Sequence, residues 1–160
     1  MPLAALRAFA LGASLLAAGC DEPAENRSVA DLAKRAVTVG GQPFEMALPA
    51  KAVLTARAGV AKVDFAPGAR QPRTIELKLA DATAAPAVPK ATTRRLPSGA
   101  LLTYRVRMTG GGSGGAEATL IGRLTFGTLA LAVTCHSQAE FGLIGDWCVP
   151  YLGSMRRKDR

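Results

Sequence analysis

Residues 101–109 read LLTYRVRMT. Leu102, Tyr104, Val106 and Met108 fall on one side of an extended chain, and Thr103, Arg105 and Arg107 on the other. This is the period-two alternation of a half-buried strand. Just before it, Pro97-Ser98-Gly99 supplies turn chemistry. After it, Gly110-Gly111-Gly112-Ser113-Gly114-Gly115 reads as a flexible hairpin loop. A second strand runs from about Ala116 to Phe126, with Leu120, Leu124 and Phe126 in one register and Gly122 at a bulge position. Gly127-Thr128 turns the chain again, into a strand carrying Leu129, Leu131, Val133 and Cys135. Three strands joined by short glycine-bearing turns predict an antiparallel sheet.

Working upstream, Ile75, Leu77 and Leu79 alternate with Thr74, Glu76 and Lys78. The stretch Val53 to Phe65 is broken by Gly59, carries its best alternation at Val63 and Phe65, and is followed by a Pro67-Gly68 turn. Phe44, Met46 and Leu48 alternate before Pro49. Residues 80–93, ADATAAPAVPKATT, hold no readable pattern.

Helices are expected at both ends. Ser28 suits an N-cap, with Asp31 in the place of a capping-box acid. Val29, Leu32, Ala33 and Ala36 then share one helical face, Lys34 and Arg35 suit the C-terminal end of the dipole, and Gly40-Gly41 stop the helix. At the other end Asp146 is the expected N-cap. Trp147, Cys148, Tyr151, Leu152 and Met155 make one apolar face, and Pro150 sits harmlessly in the first turn. The expected fold is therefore α+β: one domain over residues 28–160, with an antiparallel, hairpin-rich sheet of about six strands flanked by an N-terminal and a C-terminal helix.

Residues 1–20, MPLAALRAFALGASLLAAGC, read as an export signal. Arg7 and the amino terminus are weakly positive, and Ala8 to Ala18 carry no charge. That apolar run is too short to span a bilayer, which takes roughly 20 residues. Leu16-Ala17-Ala18-Gly19-Cys20 resembles the bacterial lipobox, in which the Cys thiol takes a diacylglycerol. The usual Leu position is occupied by Ala17. The expectation is a signal peptide over 1–19, lipidation at Cys20, and a polar tether through residue 27. Two or three acyl chains anchor a protein firmly where one would be marginal. The chain would then sit on the periplasmic side of a bacterial membrane. Asp21 resembles an inner-membrane retention signal, but the choice of inner or outer membrane stays open.

The chain carries a net charge of +8. An exported protein meets no nucleic acid, so this balance points to anionic lipid or an acidic protein partner. Besides Cys20 there are two cysteines, Cys135 and Cys148, an even pair that reads as one disulfide in an oxidising compartment. Two buried thiols are the alternative. A metal site beside His136 lacks ligands, since there is no second His and no CxxC.

Catalytic chemistry is poorly supplied. No G-x-S-x-G motif is present, the acidic residues are scattered, and the glycine run has no Lys-Ser or Lys-Thr after it to make a phosphate loop. The sequence reads as that of a binding protein rather than an enzyme, with no cofactor. Arg94, Arg95, Arg105 and Arg107 are the candidate partner-binding residues, because Arg meets carboxylates bidentately. A solvated sheet face is the alternative.

Four pieces carry a family resemblance: Phe44-Glu45-Met46-Ala47-Leu48-Pro49, Leu96-Pro97-Ser98-Gly99, GAEATLIGRL at 115–124 and WCVPYLGSMR at 147–156. With them the chain resembles small bacterial lipoproteins with a PsbP-like fold. Within that type it is similar to type VI secretion immunity lipoproteins. The resemblance covers roughly residues 42–157 and implies a periplasmic protein that binds a peptidoglycan-cleaving effector and occludes its active-site groove. A structural or assembly lipoprotein of the envelope and a small-ligand carrier remain as alternatives.

Overall fold

The chain after Ser28 is extended rather than helical in the computed structural model, which describes residues 28–68, 72–81, 90–112, 115–139 and 145–158. Only a 3-10 turn, Val29–Asp31, forms there, and Ser28 caps it by accepting from the Ala30 N–H at 3.3 Å. Strand β1 (Lys34–Val39) follows and pairs antiparallel with β2 (Gln42–Ala47).

The expected N-terminal helix is thus absent, and the reason is local. Val29, Leu32, Ala33 and Ala36, its supposed apolar face, are not buried. The residues that enter the core are Val37 and Val39, two apart as on a strand. The run Val37-Thr38-Val39 is β-branched, which favours extended chain. Gly40 and Gly41 do not stop a helix but take φ of +53° and +80°, the left-handed pair that closes a two-residue hairpin. Ala58 and Gly59, at +50° and +79°, repeat the device between β3 (Val53–Arg57) and β4 (Val60–Asp64).

The remaining strands are β5 (Arg73–Ala80), β6 (Thr92–Arg95), β7 (Leu101–Gly112), β8 (Gly115–Phe126) and β9 (Leu129–Ala139). They join β3 and β4 in a seven-stranded antiparallel sheet of order β3-β4-β5-β9-β8-β7-β6. Gly122 is not a bulge; it pairs regularly with Tyr104 and Val133. The irregularity lies between Gly110 and Gly112.

One α-helix is described, α1 (Val149–Ser154), six residues long. Its N-cap is Cys148, not Asp146, and Met155 beyond it is already extended. The chain then enters β10 (Arg156–Arg157), which pairs with β2 and completes a three-stranded sheet of order β1-β2-β10. The fold is therefore mostly β, built from a seven-stranded and a three-stranded antiparallel sheet. Among the described residues it has no flanking helices, against the α+β expectation.

Both sheets contribute to one core. Ile75, Leu77, Leu102, Leu120, Leu124 and Leu131 come from the large sheet; Phe44, Met46 and Val39 come from the small one; Leu152 comes from α1. Ser154 ties α1 to β2, its Oγ accepting from the Ala47 N–H at 3.0 Å and donating to the Tyr151 carbonyl at 2.6 Å. Gly153 lets Pro97 approach, since a methyl group there would stand 3.2 Å from Pro97 Cδ. Among the described residues no helix is long and apolar enough to cross a membrane. The signal peptide, Cys20 and the tether lie outside the described residues, as do positions 82–89 of the Ala/Pro-rich segment and Ser113-Gly114 of the glycine run.

Candidate functional site

Strand pairing settles where the four candidate arginines go. Arg105 lies opposite Ile121 and Arg107 opposite Thr119, on the face of the large sheet turned away from the core. Arg95 lies opposite Leu101 and shares that outer face. Arg94 lies opposite Leu102, whose side chain is fully buried, so Arg94 belongs to the other side at the β6 edge. The four do not form one patch.

Their freedom also differs. Arg95 donates from Nη1 to the Gly99 carbonyl at 3.2 Å and so braces its own turn. Arg123, next along β8, donates to the Asp81 carbonyl. Lys62 and Glu76 neutralise one another at 3.3 Å on the same outer face. Arg105 and Arg107 are exposed and have no hydrogen-bond or ion-pair partner among the described residues. The outer face of β7 therefore offers two guanidinium groups able to fork onto carboxylates.

The inner side of the same strand is incomplete. Leu102 and Tyr104 are buried, but Val106 and Met108, in the same register, are 36% and 56% exposed. β6 accounts for this: it pairs only with Leu101–Tyr104 of the twelve-residue β7. Lys90, just before it, sits at φ +58°, a left-handed bend that takes the chain off the strand line. A cavity of about 370 Å³ opens there, lined by Lys90, Thr92, Tyr104, Arg105, Val106, Gly145 and Asp146. Gly145 abuts Val106 so closely that a methyl group would stand 2.6 Å from Val106 Cγ1.

Sequence reasoning missed Lys90 and Asp146 as wall residues. The first lies in a stretch without pattern, and the second was read as a helix cap. The exposure of Val106 and Met108 was hidden by a good alternation, which reports the side a residue faces and not whether anything covers it.

The cysteines behave as a structural pair. Cys135 in β9 and Cys148 at the head of α1 are fully buried and joined as a disulfide, with their Cα atoms 6.5 Å apart. Beside it Trp147 packs edge-on against Phe65 at 5.1 Å, Tyr151 meets Phe65 at 4.7 Å, and Arg73 stands 5.9 Å above the Trp147 ring. His136 is half-buried on the outer face, its Nδ1 3.5 Å from Thr119 Oγ1. Among the described residues no group of three His, Cys, Asp or Glu could hold a metal ion. What the surfaces of β7 can do chemically is bind: charge on one face, apolar side chains on the other, and between them a strand edge that no described residue pairs beyond Tyr104.

Comparison with known proteins bears on this geometry. The model of one family, the type six secretion immunity 3 domain, matches residues 45–156, a span that runs from β2 through the large sheet and α1 to β10. Curated proteins give no significant match. Among solved structures, a crystal structure from Bacteroides thetaiotaomicron is similar, with a TM-score of 0.54 at 12% identity. The alignment covers 80% of this chain and 49% of that one, so this chain spans about half its length and shares its fold alone. The family match covers well over half of the chain: the chain belongs to the type six secretion immunity 3 domain family and is a type VI secretion immunity protein.

Proposed function

We propose that this immunity protein is held by lipid on Cys20 at the periplasmic side of a bacterial membrane. There it neutralises a peptidoglycan-cleaving effector by occupying the effector's active-site groove. Immunity proteins bind cognate effector toxins. The observation that carries the finer reading is the pair of exposed guanidinium groups, Arg105 and Arg107, which have no partner among the described residues, on the outer face of a chain with net charge +8. Enzymes that cleave glycosidic bonds work with carboxylates in a groove. A basic face meets such a groove with complementary potential, which speeds capture and favours the correct partner. The export pattern of residues 1–20 and a disulfide, which persists in an oxidising compartment, support the location.

The test has two parts. The toxin encoded beside this gene, expressed in the periplasm, should lyse cells unless this chain is co-expressed. Purified protein should then block peptidoglycan hydrolysis by that toxin. Continued hydrolysis at saturating protein overturns the inhibitory reading. Palmitate labelling that persists in Cys20→Ser overturns the lipid anchor.

A further inference from the structure

Leu96 donates its N–H to the Ala100 carbonyl at 2.8 Å, which phases the hydrogen bonds between β6 and β7. In an antiparallel pair the bonding residues alternate, so Ala100, Leu102 and Tyr104 present their backbone groups to β6, and the residues between them serve β8. The next two positions on the β6 side are Val106 and Met108. β6 has ended by then, and the N–H and C=O groups of both residues have no partner among the described residues. An open strand edge is a template for another strand, and proteins usually shorten it, charge it or cover it.

We infer that this edge of β7, at Val106 and Met108, takes an extended segment of the effector as an added strand, with acidic residues on the segment's outer face. The inference rests on the reading that the chain neutralises an effector by binding it, and it names the surface that does so. Main-chain bonds at Val106 and Met108 supply affinity, and alternate side chains supply specificity. On the outer face the segment meets Arg105 and Arg107, which calls for Asp or Glu at alternate positions. On the inner face its other side chains lie over Met108 and reach the cavity beside Tyr104, which Val106 and Gly145 wall. There the Lys90 ammonium offers donors and the Asp146 carboxylate offers acceptors, and the two are not ion-paired to one another. A second copy of this chain is a poorer occupant, since its own β7 would bring Arg105 and Arg107 against like charges.

Amide hydrogen exchange on the full mature domain, alone and with the purified toxin encoded beside its gene, reads the edge directly. The amides of Val106 and Met108 should exchange quickly in the free protein and at least tenfold more slowly in the complex. Met108→Pro removes one edge donor without touching the β8 ladder, and proline is tolerated on an open edge. It should weaken toxin binding roughly tenfold, the scale of one or two backbone hydrogen bonds, while melting like the parent. Toxin that binds with both amides unprotected, or binds Met108→Pro as tightly as the parent, overturns this inference and leaves neutralisation standing. Toxin that does not bind the parent at all overturns both. Protection already present in the free protein, together with a dimer in sedimentation, assigns the edge to a second copy and overturns the inference.

Discussion

Tyr104 on β7 and Gly122 on β8 face one another across the ladder, and the tyrosine fills the space that the glycine leaves. A methyl group at 122 would stand 2.8 Å from Tyr104 Cβ and 2.8 Å from the Thr103 carbonyl oxygen, closer than such atoms come. The obstruction is largely backbone, so no side-chain rotation relieves it. Gly122→Ala should therefore destabilise the fold by about 1–3 kcal/mol, the range for overpacking a well-filled site. Urea unfolding measures it through the shift in midpoint at unchanged slope. A variant as stable as the parent would mean that β7 and β8 can separate locally, and that the tyrosine is not held as described.

The disulfide lends itself to a second measurement. Cys135 and Cys148 are separated by 13 residues, and closing a loop of that size limits the unfolded chain by about 3 kcal/mol. The bond also holds α1 against β9, and a helix of six residues cannot persist alone. Reduction, or the paired replacement Cys135→Ala with Cys148→Ala, should lower stability by about 2–4 kcal/mol. The Trp147 fluorescence should change in the same transition, because its packing against Phe65 depends on where α1 sits. A reduced protein that melts with the oxidised one would leave the bond without a stabilising role.

The large sheet was legible because its strands are long and half-buried. Ile75 and Leu77, Leu120 and Leu124, and Leu131 and Val133 all alternate in the register that the sheet uses. The N-terminal error has a physical source. Ala33 to Val39 offers both a helical spacing, through Ala33 and Ala36, and a strand spacing, through Val37 and Val39. Alanine satisfies the first weakly, whereas β-branched residues beside a Gly-Gly hairpin commit the chain to the second. The C-terminal stretch was overextended for the opposite reason. Met155 is buried, but it enters the core as extended chain because the residues after it pair with β2. Of the candidate site, Arg105 and Arg107 followed from alternation alone. The open edge did not, since it depends on where β6 stops.

That small sheet closes with an ion pair whose titration can be followed. Glu45 on β2 lies 2.7 Å from the Lys158 ammonium, just past β10. The hydrogen bond from Lys158, then its charge and that of Lys34, outweigh partial burial and hold the Glu45 carboxyl below its ordinary value. Because the folded value is the depressed one, the contribution to stability is fully present above the ordinary glutamate value of the unfolded chain. It is lost as pH falls through the folded value. Carbon-detected NMR should place the Glu45 midpoint below that of an unpaired glutamate, and Lys158→Ala should raise it towards the ordinary range. An unchanged midpoint in Lys158→Ala would show that the pair does not persist in solution.

Arg105 and Arg107 provide the corresponding experiment on the outer face. Both are exposed and neither braces a neighbour among the described residues, so Arg105→Glu with Arg107→Glu should leave stability within about 0.5 kcal/mol of the parent. Replacing two cations opposite an acidic surface by two anions should act chiefly on association. Near the surface such charges are felt over about 8 Å at physiological salt, so the loss should be large at low ionic strength and shrink as salt rises. Stopped-flow mixing with the effector at several salt concentrations separates this from a change in dissociation. Equal association rates for the parent and the double variant at low salt would place the effector contact elsewhere on the molecule.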